Sequence, residues 1–132
     1  MTIKVLFVDA EKPQEQVFNQ VFKQQLKNGK YSFYFSTSSK EAFKKLLAGL
    51  EVDIIVFDTR LSDTRDGITL IKKINETKEI KVHRFILCSA YIDSIIIADA
   101  VENGVFNFLN KPHEAEDLEK IIDELYSLEK KV

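Results

Sequence analysis

Two kinds of apolar pattern alternate along this chain. Short, dense runs at 3–8, 31–36, 53–58, 85–88 and 105–109 are rich in β-branched and aromatic residues, and each predicts a strand. The stretch Ile54, Ile55, Val56, Phe57 has no polar break, as expected of a strand buried on both faces. The aromatic run at 31–36 reads as a strand near the sheet edge. Between these runs, apolar residues recur at helical spacing. Val17, Phe18, Val21, Phe22 and Leu26 follow Pro13 and predict one helix, stopped by Asn28 and Gly29. Ser38 and Glu41 form a capping box before Ala42, Phe43, Leu46, Leu47 and Leu50. Ile68, Ile71 and Ile74 mark the next helix. Ile95, Ile96, Ala98, Ala100 and Val101 mark another, ending at Asn103 and Gly104. Leu118, Ile121, Ile122, Leu125 and Leu128 line the last. Five strand–helix units in alternation predict a doubly wound α/β fold. Its five-stranded parallel sheet takes the order 2-1-3-4-5 with helices on both faces, and residues 1–132 form one domain.

Composition narrows the function classes. Hydrophobic residues make up 45% of 132 and charged residues 30%, the balance expected of a globular, soluble chain rather than a disordered one. A net charge of −2 without a long run of one sign leaves no electrostatic footprint for nucleic acid and no polybasic membrane patch. The single cysteine, Cys88, excludes an internal disulfide and fits a reducing compartment. The apolar run before Asp9 is too short for a signal peptide or a membrane span, so the expected location is the cytoplasm.

Chemistry is expected at the strand tips. In an open parallel sheet, ligands bind at the carboxyl ends of the strands. Four runs end there in polar groups: at Asp9, at Asp58, at Ser89, and at Asn110, Lys111 and Pro112. Clustered carboxylates repel unless a cation joins them, and oxygen-only ligands favour Mg²⁺. A carboxylate beside such a metal can act as a nucleophile toward a phosphoryl group. An ammonium and a hydroxyl then stabilise the developing charge. Other residues read as structural. Cys88 is a small buried hydrophobe. His83 and His113 have no acidic or cysteine partner at ligand spacing. Asp53 and Asp66 read as loop and capping residues, and the charges from 114 to 131 as the wet face of the last helix.

These residues together resemble the response-regulator receiver domain of two-component signalling, which has a flavodoxin-like fold. The resemblance rests on Val5 to Glu11, on Asp58, Thr59, Arg60 and Leu61 followed by Asp66 and Gly67, on Ile86 to Ala90, and on Asn107 to Pro112. It implies that Asp58 takes a phosphoryl group from a histidine kinase or phosphotransfer protein. Asp9, Asp58 and the main-chain carbonyl of Arg60 would hold Mg²⁺, and Lys111 would pair with Asp58 or its phosphate. Ser89 would reach the phosphate, Phe108 would turn with the switch, and Pro112 would follow a cis peptide. The module would be a signalling switch rather than an enzyme, acting through an output domain or a homodimer, without direct nucleic-acid or membrane contact.

The chain departs from the family pattern in three places. Ala10 stands where a second metal-binding acid is usual, Ser62 replaces the usual proline, and the stretch from Asp58 to Gly67 is one residue longer than usual. Weaker Mg²⁺ binding is the expected consequence, with Glu11 a weak substitute ligand. The alternative is therefore a pseudo-receiver, an interaction module with weakened or lost Mg²⁺-dependent phosphorylation. A flavodoxin-like cofactor binder is disfavoured, because Glu11, Lys12 and Pro13 stand where a Gly- or Ser/Thr-rich phosphate loop is needed. No helix-turn-helix pattern follows the last helix, so the chain reads as a stand-alone receiver or one cut from a longer protein.

Overall fold

The computed structural model describes residues 2–10, 13–61, 67–112 and 115–131. Its elements run β1 (Ile3–Val8), α1 (Pro13–Val21), α2 (Lys23–Lys27), β2 (Tyr31–Ser36), α3 (Ser39–Leu47) and β3 (Ile54–Phe57). They continue with α4 (Gly67–Asn75), β4 (Phe85–Ser89), α5 (Ser94–Glu102), β5 (Asn107–Asn110) and α6 (Ala115–Lys131). All strand pairs are parallel and the sheet order is β2-β1-β3-β4-β5, as the alternation predicts. The aromatic strand β2 does lie at an edge.

Each strand alternates its side chains between two apolar layers, following the period of two. Leu6, Val8, Ile55, Phe57 and Leu87 face one layer, with Ala42 and Leu46 of α3, Ile71 of α4 and Ala100 of α5. Val5, Phe7, Ile54, Val56, Ile86 and Cys88 face the other, with Phe18 of α1, Phe22, and Leu118 and Ile122 of α6. The central strands β3 and β4, and β1 from Val5 on, are thus buried on both faces, which is why Val5–Val8, Ile54–Phe57 and Phe85–Cys88 carry no polar break.

The helices differ from the sequence reading in detail. The expected single helix after Pro13 is two, interrupted at Phe22 (φ −100°, ψ 21°). Phe22 still donates to Phe18 O and accepts from Leu26 N, both at 2.9 Å, so the axis continues while its twist changes. Phe18 and Phe22, one turn apart, both reach the core, while Val17 and Val21 stay half exposed. In α3, Ser38 caps the helix by accepting from Glu41 N at 3.1 Å, as expected. Leu47, expected on the buried face, is half exposed because that face is already filled by Ala42 and Leu46. The larger correction is α5. Only Ala100 of its apolar residues is fully buried; Ile95 is 78% exposed and Val101 is also exposed. Leu128 lies outside the described side chains.

Candidate functional site

Asp9 and Asp58 follow the last residues of adjacent strands. Val8 pairs with Phe57 in register, and the Asp58 amide donates to Val8 O at 3.0 Å. The two carboxylates therefore lie side by side at the carboxyl edge. Lys111 reaches them from beyond β5. Its amide donates to Ser89 O at 2.9 Å, which fixes the Lys111 backbone beside β4. Its Nζ donates to Asp58 Oδ2 at 2.9 Å and forms a second ion pair with Asp9 Oδ2. All three side chains are only 12–16% exposed. The peptide between Lys111 and Pro112 is cis, as expected.

The electrostatics follow from this arrangement. Burial opposes ionisation of Asp58. The Lys111 ammonium, the neighbouring Ser89 hydroxyl and the Arg60 amide outweigh it and hold the carboxyl below the ordinary carboxylate value. Burial likewise opposes charge on Lys111, but hydrogen bonds to Asp9 and Asp58 raise it above the ordinary lysine value. Asp58 is therefore an ionised, partly desolvated carboxylate, the state a nucleophile requires.

Ser89 ends β4 and is 3% exposed; its Oγ accepts from the Tyr91 amide at 3.3 Å. Arg60 donates its amide to Asp58 Oδ1 at 3.2 Å. Phe108 is half buried against the layer that holds α3, α4 and α5. Asp53, read as a loop residue, accepts from the Lys4 amide at 2.8 Å near the opposite end of β3. Cys88 is buried, which pushes its thiol up to about 12, in keeping with a core role. His83 is exposed. Ala10 is exposed beside Asp9. Glu11, Lys12, Ser62, Asp66, His113 and Glu114 lie outside the described residues.

Two residues at the site, Thr59 and Gly67, enter the sequence reading only as part of a motif, with no role of their own. Thr59 is 8% exposed, and its Oγ1 lies 3.3 Å from both Asp58 Oδ1 and Ser89 Oγ. Phe57 pairs with Leu87, so two residues further along each strand Thr59 stands across from Ser89. Gly67 is the second. Its amide donates to Thr59 O at 2.7 Å, and a Cβ there would be driven into the Asp58 carbonyl. Only glycine lets α4 start this close to the loop that presents Asp58.

A five-stranded parallel sheet in this order, with acids, a hydroxyl and a lysine gathered at its carboxyl edge, fits a class of signalling domains. A family model for the response regulator receiver domain matches residues 5–123, and the chain belongs to that family. Solved structures agree in fold. A two-component response regulator from Clostridium difficile is 23% identical, with TM-score 0.79 over 95% of this chain and 96% of its own. The signal receiver domain of an HD domain-containing protein from Pseudomonas fluorescens Pf-5 is 24% identical, with TM-score 0.82 over 100% of both chains. The beryllofluoride-activated NtrC4 receiver domain dimer is 23% identical, with TM-score 0.77 over 94% of this chain and 96% of its own. No curated protein matches the chain in sequence.

Receiver domains typically bind Mg²⁺ at the phosphorylation site. The donors here fit that ion in type. Asp9 and Asp58 supply two charged oxygens, and Mg²⁺ is ordinarily held by one or two carboxylates with waters completing the octahedron. Among the described residues no third His, Cys, Asp or Glu joins them.

Proposed function

We propose that Asp58 is a phosphoacceptor. The observation that carries this reading is the Lys111 ammonium seated against two carboxylates at the sheet's carboxyl edge, which keeps Asp58 ionised. An Asp58 oxygen attacks the phosphorus of a phosphohistidine on a kinase or phosphotransfer protein. The new O–P bond forms as the P–N bond breaks, and the histidine nitrogen takes up a proton. Asp9, Asp58 and the Arg60 carbonyl would hold Mg²⁺, which when bound offsets charge on the phosphoryl oxygens. Lys111 stabilises the same oxygens and pairs with the product phosphate. Ser89 donates to the phosphate, Phe108 turns inward behind it, and the face of α5, β5 and α6 changes. That face is the read-out surface toward an output domain or a second copy. The activated NtrC4 dimer supports the second occupant, as do the exposed Ile95 and Val101 of α5.

Residues 1–132 act as one receiver domain, a switch rather than an enzyme. A cytoplasmic setting accords with the single buried cysteine, and among the described residues no helix is long and apolar enough to cross a membrane. The test is intact mass after incubation with Mg²⁺ and a small acyl phosphate. Wild type should gain one phosphoryl group and Asp58→Asn none. A wild-type protein that stays unmodified with both the small donor and kinases defeats the reading.

A second reading is favoured by Ala10. An uncharged residue beside Asp9 leaves the metal site one acid short of the usual receiver pattern, as a pseudo-receiver would have it. A Mg²⁺ titration separates the two: saturation at millimolar concentrations supports the switch, and none supports the interaction module.

A further inference from the structure

Thr59 lies between the two groups that the proposed switch must couple. Its Oγ1 is 3.3 Å from Asp58 Oδ1 and 3.3 Å from Ser89 Oγ, and Ser89 Oγ is 3.3 Å from the Tyr91 amide nitrogen. The chemistry of the two end groups orders the links. An ionised carboxylate only accepts, so Thr59 spends its one proton on Asp58. The contact with Ser89 is then made by Ser89 donating to Thr59 Oγ1, in exchange with its direct hydrogen bond to the Asp58 carboxylate. Ser89 Oγ in turn accepts from Tyr91 N–H, since an amide only donates. The order runs Tyr91 N–H, Ser89 O–H, Thr59 O–H, Asp58 carboxylate.

We infer that Thr59 is a positioning residue, which tethers Ser89 to the unmodified Asp58 carboxylate and sets the threshold for switching. Three observations carry this. Register places Thr59 across from Ser89, on strands already paired at Phe57 and Leu87. Thr59 and Ser89 are both buried, so little water competes for either hydroxyl. The Thr59 backbone is pinned by Gly67 N–H at 2.7 Å, which holds Oγ1 in place. Each link is long for a hydroxyl hydrogen bond, so the chain is weak enough to break.

The consequence rests on the phosphoacceptor reading. Phosphorylation turns the Asp58 carboxylate into an acyl phosphate, whose remaining carbonyl oxygen is a weaker acceptor and whose charge lies on the phosphoryl oxygens. Thr59 loses its preferred partner, and Ser89 is released to donate to phosphoryl oxygens. The resting chain therefore opposes activation by about the worth of one hydrogen bond. Removing the Thr59 hydroxyl should tighten binding of a phosphoryl mimic by roughly threefold to tenfold.

The test uses the full chain, with Thr59→Val and Thr59→Ser. In the unmodified protein, Thr59→Val should shift the Tyr91 amide and Ser89 Cβ NMR signals, and Thr59→Ser should leave them near wild type. With Mg²⁺ and beryllofluoride, Thr59→Val should bind the mimic more tightly and Thr59→Ser should match wild type. Wild type should also show separate, deuterium-shifted Cβ signals for Thr59 and Ser89, the mark of slowly exchanging hydroxyls. That measurement decides the tether even if Thr59→Val does not fold. Unmoved Tyr91 and Ser89 signals, fast-exchanging hydroxyls, or unchanged affinity in Thr59→Val each overturn it. If wild type binds no beryllofluoride, the phosphoacceptor reading fails instead, and the signals of the unmodified protein still decide the tether.

Discussion

Lys111 sets one ammonium against two carboxylates, and its removal should be costly. Lys111→Met would leave Asp9 and Asp58 facing each other in a partly dry pocket, at a cost of about 3 kcal/mol at neutral pH without divalent cations. The sign with pH should reverse in the variant. In wild type the Asp58 carboxyl is held low, so its stabilisation is present above its unfolded value and lost as pH falls below about 4. In Lys111→Met the carboxyl pair titrates above its unfolded value, so acidification from about 7 to 5 should stabilise the variant. Added Mg²⁺ should restore more stability to the variant than to wild type. Urea melts at the two pH values, with and without Mg²⁺, check both points; equal Mg²⁺ response in the two proteins would contradict the shared site. Ala10 gives the complementary experiment. Ala10→Asp adds a third acid, so the metal-free protein should melt lower while Mg²⁺ binds more tightly and phosphorylation by a small donor speeds up. If Mg²⁺ affinity is no better, position 10 is not at the metal site.

At the scale of elements, α6 is tied to the edge strand β2 by a small polar cluster. Tyr31 OH donates to Asp123 Oδ1 at 2.8 Å, and Lys30 Nζ bridges Glu119 and Asp123 at 2.9 Å each. The Lys30 pairs are partly exposed and contribute little. Tyr31 is buried, and burial together with Asp123 holds its phenol well above the ordinary tyrosine value. A raised group stabilises below its unfolded value, near pH 10, and the contribution fades as pH climbs further. Tyr31→Phe should therefore cost about 1 kcal/mol at pH 7 and flatten the alkaline loss of stability. An alkaline melt as steep as wild type would place that loss elsewhere. The elements themselves were largely legible, because unbroken runs such as 54–57 admit only buried strands and Asn-Gly pairs mark helix ends. Less was legible where tertiary fit overrides periodicity. The break at Phe22 is not visible in the spacing, because Phe18 and Phe22 lie on one face whether or not the helix is continuous. In the site, Asp9, Asp58, Ser89 and Lys111 stood out as polar groups at strand tips. Thr59 and Gly67 did not, because the first needs the strand register and the second needs the path of the backbone.

Across the whole molecule, apolar surface is unevenly spread. The tip of α5 exposes Ile95, with Tyr91 before it, while Phe106 is 67% exposed on the loop leading into β5. On the other helices the exposed large apolar side chains are Val17 and Val21 of α1 and Leu47 of α3, each about half exposed, among the described residues. If α5 belongs to the read-out face, Ile95→Glu should leave stability within about 0.5 kcal/mol, since the side chain packs against little. It should also weaken any beryllofluoride-dependent self-association seen by sedimentation. Association that survives Ile95→Glu and Val101→Glu together would move the contact off α5.

Cys88 offers the experimenter a clock. Among the described residues it is the only thiol, 3% exposed, on the central strand β4 and adjacent to Ser89. Buried and protonated, it reacts with an alkylating reagent only when the apolar layer it shares with Phe18, Leu118 and Ile122 opens. The labelling rate of the native protein therefore counts openings of the core next to Ser89, without any engineered probe. Ligands that close the pocket should slow that count, and Lys111→Met should quicken it. A native labelling rate equal to that of an unfolded thiol would mean that β4 is not where the fold puts it.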